Sequence, residues 1–333
     1  MERERATAET TVLAEAIGRS VALLAELKSP GVRADERWAE AGRKVVRFHL
    51  ARMIARVPGV ISGEDPEDVH AMRVAVRRMR AAWRVFGDGF ERPEARRYRG
   101  DLRVIGGALG AVRDMDVLLE IVDAYESARG RRSREGIAAL RFAWAEEREA
   151  RRVALLAHLG SDAFPGFLAE YEALATTRGL AARAVAPHAP DAVRTRIPAA
   201  VWAAYGLVRA FDDGLDGSDL VAMHELRIAG KSLRYTLEFA REAIGPEAPG
   251  LIAPVTALQD HLGAQHDLHV AATLARELLG GGRIPESEAG EVARFVAHLD
   301  DGVARHAARF PETWQPLLGR RYRALLGRGL GRL

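Results

Sequence analysis

The run Val69-His70-Ala71-Met72-Arg73-Val74-Ala75-Val76-Arg77-Arg78-Met79-Arg80-Ala81-Ala82-Trp83-Arg84-Val85-Phe86 decides the fold. At about 100° per residue, His70, Arg73, Arg77, Arg80 and Arg84 fall within an arc of about 80°, and Met72, Val76, Met79, Trp83 and Phe86 form a separate stripe. This is an amphipathic helix with one face to bury and another to meet negative charge. A single basic stripe is also what a solvated helix face looks like. Here it recurs: Met223-His224-Glu225-Leu226-Arg227-Ile228-Ala229-Gly230-Lys231-Ser232-Leu233-Arg234 sets His224, Arg227, Lys231 and Arg234 at the offsets of His70, Arg73, Arg77 and Arg80. Leu226, Leu233 and Leu237 stand where Met72, Met79 and Trp83 stood.

A second landmark repeats in the same order. Leu109-Gly110-Ala111-Val112-Arg113-Asp114 is echoed by Leu262-Gly263-Ala264-Gln265-His266-Asp267, and its separation from the histidine changes by a single residue. Two copies of one unit of about 150 residues mark a duplicated domain and not a solenoid period.

The composition permits one large core or two bundles: 333 residues, 48% hydrophobic, 29% charged. The absence of cysteine excludes disulfides, thiolate metal sites and a cysteine nucleophile. No run of about 18 apolar residues is present and the first residues lack an apolar signal core, so a cytoplasmic protein is expected. The net charge is only +3, yet three of the 49 basic residues are lysine and the rest arginine. Arginine's planar fork suits phosphate oxygens; an arginine-rich chain can equally reflect a GC-rich gene, so placement carries the argument.

Along the chain, residues 7–28 read as an amphipathic helix with no echo in the second half, an extension (residues 1–33) on the first repeat or a partner-binding helix. The first repeat spans residues 34–175. Its opening helix, ended at Pro58-Gly59, is flanked by Arg43 and Arg47; Asp65 caps the His70 helix, and a third helix from Pro93 carries Arg99, Arg103, Gly107 and Gly110 on one face. Further helices are expected over residues 114–128, 135–159 and 163–175. After a proline-containing linker at residues 176–191, the second repeat (residues 192–333) follows the same order, with Ser218 capping the His224 helix, a helix at residues 286–309 and a basic tail. No strand alternation is apparent, so the fold class is all-α.

The His70-x-x-Arg73-x-x-x-Arg77-Arg78-x-Arg80 run, its His224-x-x-Arg227-x-x-x-Lys231-x-x-Arg234 partner and the paired Leu-Gly-x-x-x-Asp elements resemble the CHAD family, the conserved histidine α-helical domain. The resemblance covers residues 34–326. It implies two four-helix bundles related by a pseudo-twofold axis, whose basic helices converge on a surface that binds inorganic polyphosphate without catalysis. Carried over residue by residue, the polyphosphate-binding set is His70, Arg73, Arg77, Arg80, His224, Arg227, Lys231 and Arg234, joined by Arg43, Arg47, Arg99 and Arg103. Asp114 and Asp267 are the carboxylates expected to orient arginines. Ser232 and Glu238 answer Arg78 and Arg84, which predicts an asymmetric site with most of its affinity in the first half. No cofactor and no metal is implied.

Three other readings compete. Asp114, Asp116, His266, Asp267 and His269 could hold a divalent ion for a metal-dependent phosphohydrolase, although Arg113 stands where the second repeat has His266. The arginine stripes would also suit nucleic acid, but Trp83, Phe86 and Phe239 lie on or near the apolar stripes and offer no stacking platform. A protein or granule partner could use the N-terminal helix.

Overall fold

The computed structural model describes Gly18, residues 27–211 and residues 214–333. Apart from Gly18 and its last two residues, the amphipathic segment expected at residues 7–28 lies outside the described residues. The described chain is all-α, and among the described residues the only extended pairings are two isolated bridges, Arg37 with Ala192 and Phe90 with Ala182. The helices are α1 (Trp38–Ile54), α2 (Val57–Ser62), α3 (Pro66–Phe86), α4 (Arg92–Arg129), α5 (Arg131–Gly136), α6 (Ala138–Leu159) and α7 (Ala163–Thr176), then α8 (Val193–Arg209), α9 (Leu220–Phe239), α10 (Arg241–Ile244), α11 (Ala248–Gly280), α12 (Glu286–Leu318) and α13 (Arg320–Leu330).

The two stripe helices form as their sequences require. Asp65 caps α3 by accepting from the Glu67 amide at 2.9 Å, with Pro66 in the first turn, where a missing amide proton costs nothing. The cap of α9 is Asp219 and not Ser218: its Oδ1 accepts from the amides of Val221 and Ala222 at 3.0 and 2.9 Å, while the Ser218 amide donates to Asp216. The apolar stripe of each helix is buried, Met72, Met79, Trp83, Leu226, Leu233 and Leu237 among them.

Three boundaries differ from the sequence expectation. Pro58-Gly59 does not simply end α1, which stops at Ile54; Pro58 opens the short α2. Residues 92–129 are one helix, so Leu109-Gly110 lies in its interior and no new helix starts at Asp114. An interior glycine costs about 1 kcal/mol, which the apolar contacts of Leu102, Ile105, Leu109 and Val112 on the same helix outweigh. Helix α12 likewise runs past Arg309 through Pro311 and Pro316, where burial of Phe310, Trp314 and Leu317 offsets the lost backbone bonds.

The buried apolar side chains do not divide at the connection between α7 and α8. One core holds the stripes of α1, α3, the first half of α4, α7, α8, α9, the first half of α11 and the ends of α12 and α13. A second core joins the far half of α4 with Ile137, the start of α6, the far half of α11 and the start of α12, while Leu155 and Leu159 at the end of α6 belong to the first. Each long helix therefore serves both cores. The connection itself is stitched to the first half: the Trp38 amide donates to Asp191 O at 2.8 Å, the Glu91 amide to Ala181 O at 2.9 Å and the Arg183 amide to Gly89 O at 2.9 Å. Near the described N-terminal end, the Val32 amide donates to Glu242 at 2.6 Å, which ties residue 32 to the second half.

Candidate functional site

Helices α3, α4, α9 and α11 enclose a cleft of about 640 Å³ between the two halves. His70, Arg73 and Arg77 come from α3, Arg113 and Asp114 from α4, Arg227, Lys231 and Arg234 from α9, and Gln259, Asp260, His266 and Asp267 from α11. Six permanent or near-permanent cations face three carboxylates, and each half supplies three of the cations. Close approach of the helices depends on small residues. A Cβ on Gly230 would meet Gln259 Nε2 at 2.3 Å, and on α4 it is Gly106 and Gly110, not Gly107, that pass beneath Arg80 and Arg73.

The carboxylates neutralise only part of this charge. Asp114 takes Arg73 at 3.0 Å, and Glu238, just outside the cleft, takes Arg234 Nε at 2.8 Å and Arg78 Nη2 at 3.1 Å, joining α9 to α3 across the halves. Arg113 pairs with Glu120 at 2.6 Å. Among the described residues, Arg77, Arg227 and Lys231 have no carboxylate within ion-pair distance. Asp267 has no ion pair either; burial raises its pKa, and Arg227 beside it pulls the other way.

The crowding shows in the titrating groups. Burial, with Arg227, Arg77 and Arg73 alongside, pulls the Lys231 ammonium down to about 8. Burial, with Arg227 and His224 alongside, brings His266 to about 4, and burial and Arg113 lower His70. Three nitrogens of lining residues, Arg227 Nε, His70 Nδ1 and Gln259 Nε2, are buried without a hydrogen-bond partner. Concentrated, mutually repelling cations and unsatisfied nitrogens make a site that gains free energy by taking up an anion rich in acceptor oxygens.

Of the residues expected from the sequence, His70, Arg73, Arg77, Arg227, Lys231, Arg234, Asp114 and Asp267 converge here. His224 is exposed outside the cleft, its ring centroid 5.4 Å from that of His266. Arg80 lies further along α3 beside Arg84 and Arg103, which oppose its charge, and Arg99 and Arg103 are exposed on α4 outside the cleft. Arg43 is buried on α1, where it binds Glu40 through two nitrogens at 2.8 and 2.7 Å and donates to Ala175 O; Arg47, half-buried on the same helix, does not line the cleft. The lining residues absent from the polyphosphate set read from the sequence are Arg113, His266, Gln259 and Asp260, of which His266 enters the sequence reading only as a candidate metal ligand. The first two immediately precede Asp114 and Asp267 in the repeated Leu-Gly element, which is the signal that could have found them. Among the described residues, no three His, Asp or Glu side chains are gathered as a metal shell.

The family model described as the CHAD domain matches residues 44–276. The fold is similar to the crystal structure of the CHAD domain from the plant Ricinus communis, at 25% identity over 93% of this chain and 96% of that one, with a TM-score of 0.64. It is also similar to PptA from Streptomyces chartreusis, at 19% identity over 84% of this chain and 100% of that one, with a TM-score of 0.66. No curated protein matches the sequence.

Proposed function

The chain belongs to the CHAD domain family, and from that premise we propose that the cleft between its halves binds linear inorganic polyphosphate and performs no chemistry on it. The observation that carries this reading is the convergence of Arg73 and Arg77 with Arg227 and Lys231 from the other half in one cleft. A phosphate polymer offers closely spaced charges and no base edges, so it asks for fixed cations on rigid helices and for no code. The aromatic side chains fit the same ligand. Trp83, Phe86 and Phe239 are buried in the core, and Tyr235, the one Phe, Trp or Tyr lining the cleft among the described residues, is 5% exposed and offers no ring face to a base. Asp114, ion-paired with Arg73, serves to aim a guanidinium.

Titration of the purified protein with long-chain polyphosphate tests the proposal, with single-stranded RNA as competitor at equal phosphate concentration. Saturable binding that RNA displaces poorly is expected, and no orthophosphate should be released on incubation with Mg²⁺ or Mn²⁺. Release of phosphate would make the protein a phosphohydrolase instead, and equal competition by RNA would make it a general polyanion binder.

A further inference from the structure

Helix α3 has a second cleft on its other side. It encloses about 610 Å³ between the last turn of α1, the Ala55–Arg56 step that follows, and the first half of α3. Arg52, Arg56, Arg78, His49 and His70 line it, against a single acid, Glu67. His70 and Val74 line this cleft and the main one alike, so a single turn of α3 separates the two.

The cations here are unevenly used. Arg56 is tied to Asp68 at 3.1 Å. Arg78 reaches Glu238 with Nη2 but its Nε is buried without a hydrogen-bond partner. Arg52 is exposed, stands 4.3 Å over the Phe48 ring and has no carboxylate partner among the described residues. His49, 3% exposed, is no cation here: burial, with Arg78 and Arg52 alongside, brings its pKa down to about 3. The wall shared with α3 is made of small residues, Ala71, Val74 and Ala75, over which an extended chain can pass closely.

We propose that a polyphosphate longer than the main cleft crosses the His70 turn of α3 and continues into this second cleft, where Arg52 and Arg78 hold its far segment. The inference rests on the polyphosphate reading of the main cleft and extends it. The polymer leaves on one side only, because the register that pairs His70 with His224 puts Ser232 in place of Arg78 and an exposed Ile228 in place of Val74.

The test compares tripolyphosphate with long-chain polyphosphate on the full-length wild-type protein and on the Arg52→Glu and Arg77→Glu variants. At about 0.15 M salt the screening length is about 8 Å, which mutes action at a distance. Arg52→Glu should weaken the long chain by about tenfold or more and leave tripolyphosphate within about twofold, whereas Arg77→Glu should weaken both. If Arg52→Glu changes neither ligand, or changes both equally, while Arg77→Glu weakens both, the second cleft is overturned and the main reading stands. If Arg77→Glu changes neither, the main reading itself falls. Cooperative melting of both variants, with Arg52→Gln as a milder substitution, separates lost binding from lost folding.

Discussion

Arg77 and Lys231 are the side chains from which binding is most cleanly separated from stability. Arg77 is exposed and without a carboxylate partner among the described residues. Arg77→Ala should therefore change folding stability by no more than about 0.5 kcal/mol while removing hydrogen bonds to charged oxygens worth about 1.5–3 kcal/mol, which is at least about tenfold in Kd. Calorimetric titration and a thermal melt on the same preparation check both halves of that statement. Lys231 behaves oppositely, because burial beside three arginines holds its pKa at about 8 against an ordinary 10.5. Below pH 8 the ammonium is charged in the folded and unfolded chain, and its burial is a fixed cost. From about 8 to 10.5 the unfolded chain holds more protons than the folded one, so this residue makes stability rise with pH. At pH 7 Lys231→Met should raise Tm by about 2 °C, the effect of roughly 1 kcal/mol in a chain of this size, while polyphosphate affinity falls. For the wild type near pH 8, binding should take up protons, seen as a dependence of the apparent binding enthalpy on the buffer's ionisation enthalpy. A lysine variant that loses both stability and affinity would place Lys231 in a structural role.

Between elements, Glu238 is the informative contact. It fastens α9 to α3 by accepting a hydrogen bond from Arg234 of its own helix and forming an ion pair with Arg78 of the other half. Glu238→Gln leaves two half-buried guanidinium groups short of their counter-charge, which should cost about 1–3 kcal/mol in a urea melt. Polyphosphate affinity should hold or rise, because a carboxylate beside Arg234 has gone. A loss of affinity beyond about fivefold would mean instead that the clamp sets the cleft's shape. The same contact shows what sequence could and could not disclose. Every residue that period places on the apolar stripes of α3 and α9 is buried, Met72, Met79, Leu226 and Leu233 among them, while Met223, Tyr235 and Thr236 are buried beside the stripe. The cationic stripes were legible as faces but not as partners: Glu238 read as a dilution of the basic field and proved a cross-half clamp. Arg43 read as a flanking cation and proved buried against Ala175, its partner Glu40 only three residues away. Periodicity names the side of a helix and is silent on what another helix lays over it, which also hid the unbroken course of α4 through Gly106 and Gly110.

For the molecule as a whole, a net charge of +3 hides a local concentration of six cations around one cleft. If about six of them meet phosphates, the single-strand counterion coefficient predicts a log–log salt slope near about −4, and affinity falling by about two to three orders of magnitude between about 50 and 200 mM salt. Orthophosphate should compete poorly per phosphate, since it gains nothing from effective concentration along a chain. A salt-independent Kd would indicate a compact pocket for one small anion. The two cores bear on what such binding costs. Helices α4 and α11 leave the cleft for a second apolar cluster that both halves build, while the ends of α12 and α13 return to the first. The seam is thus packed against an apolar core at both ends. On the polyphosphate reading, a backbone held from both ends leaves the entropy cost of docking to the flexible polymer and to exposed side chains such as Arg77.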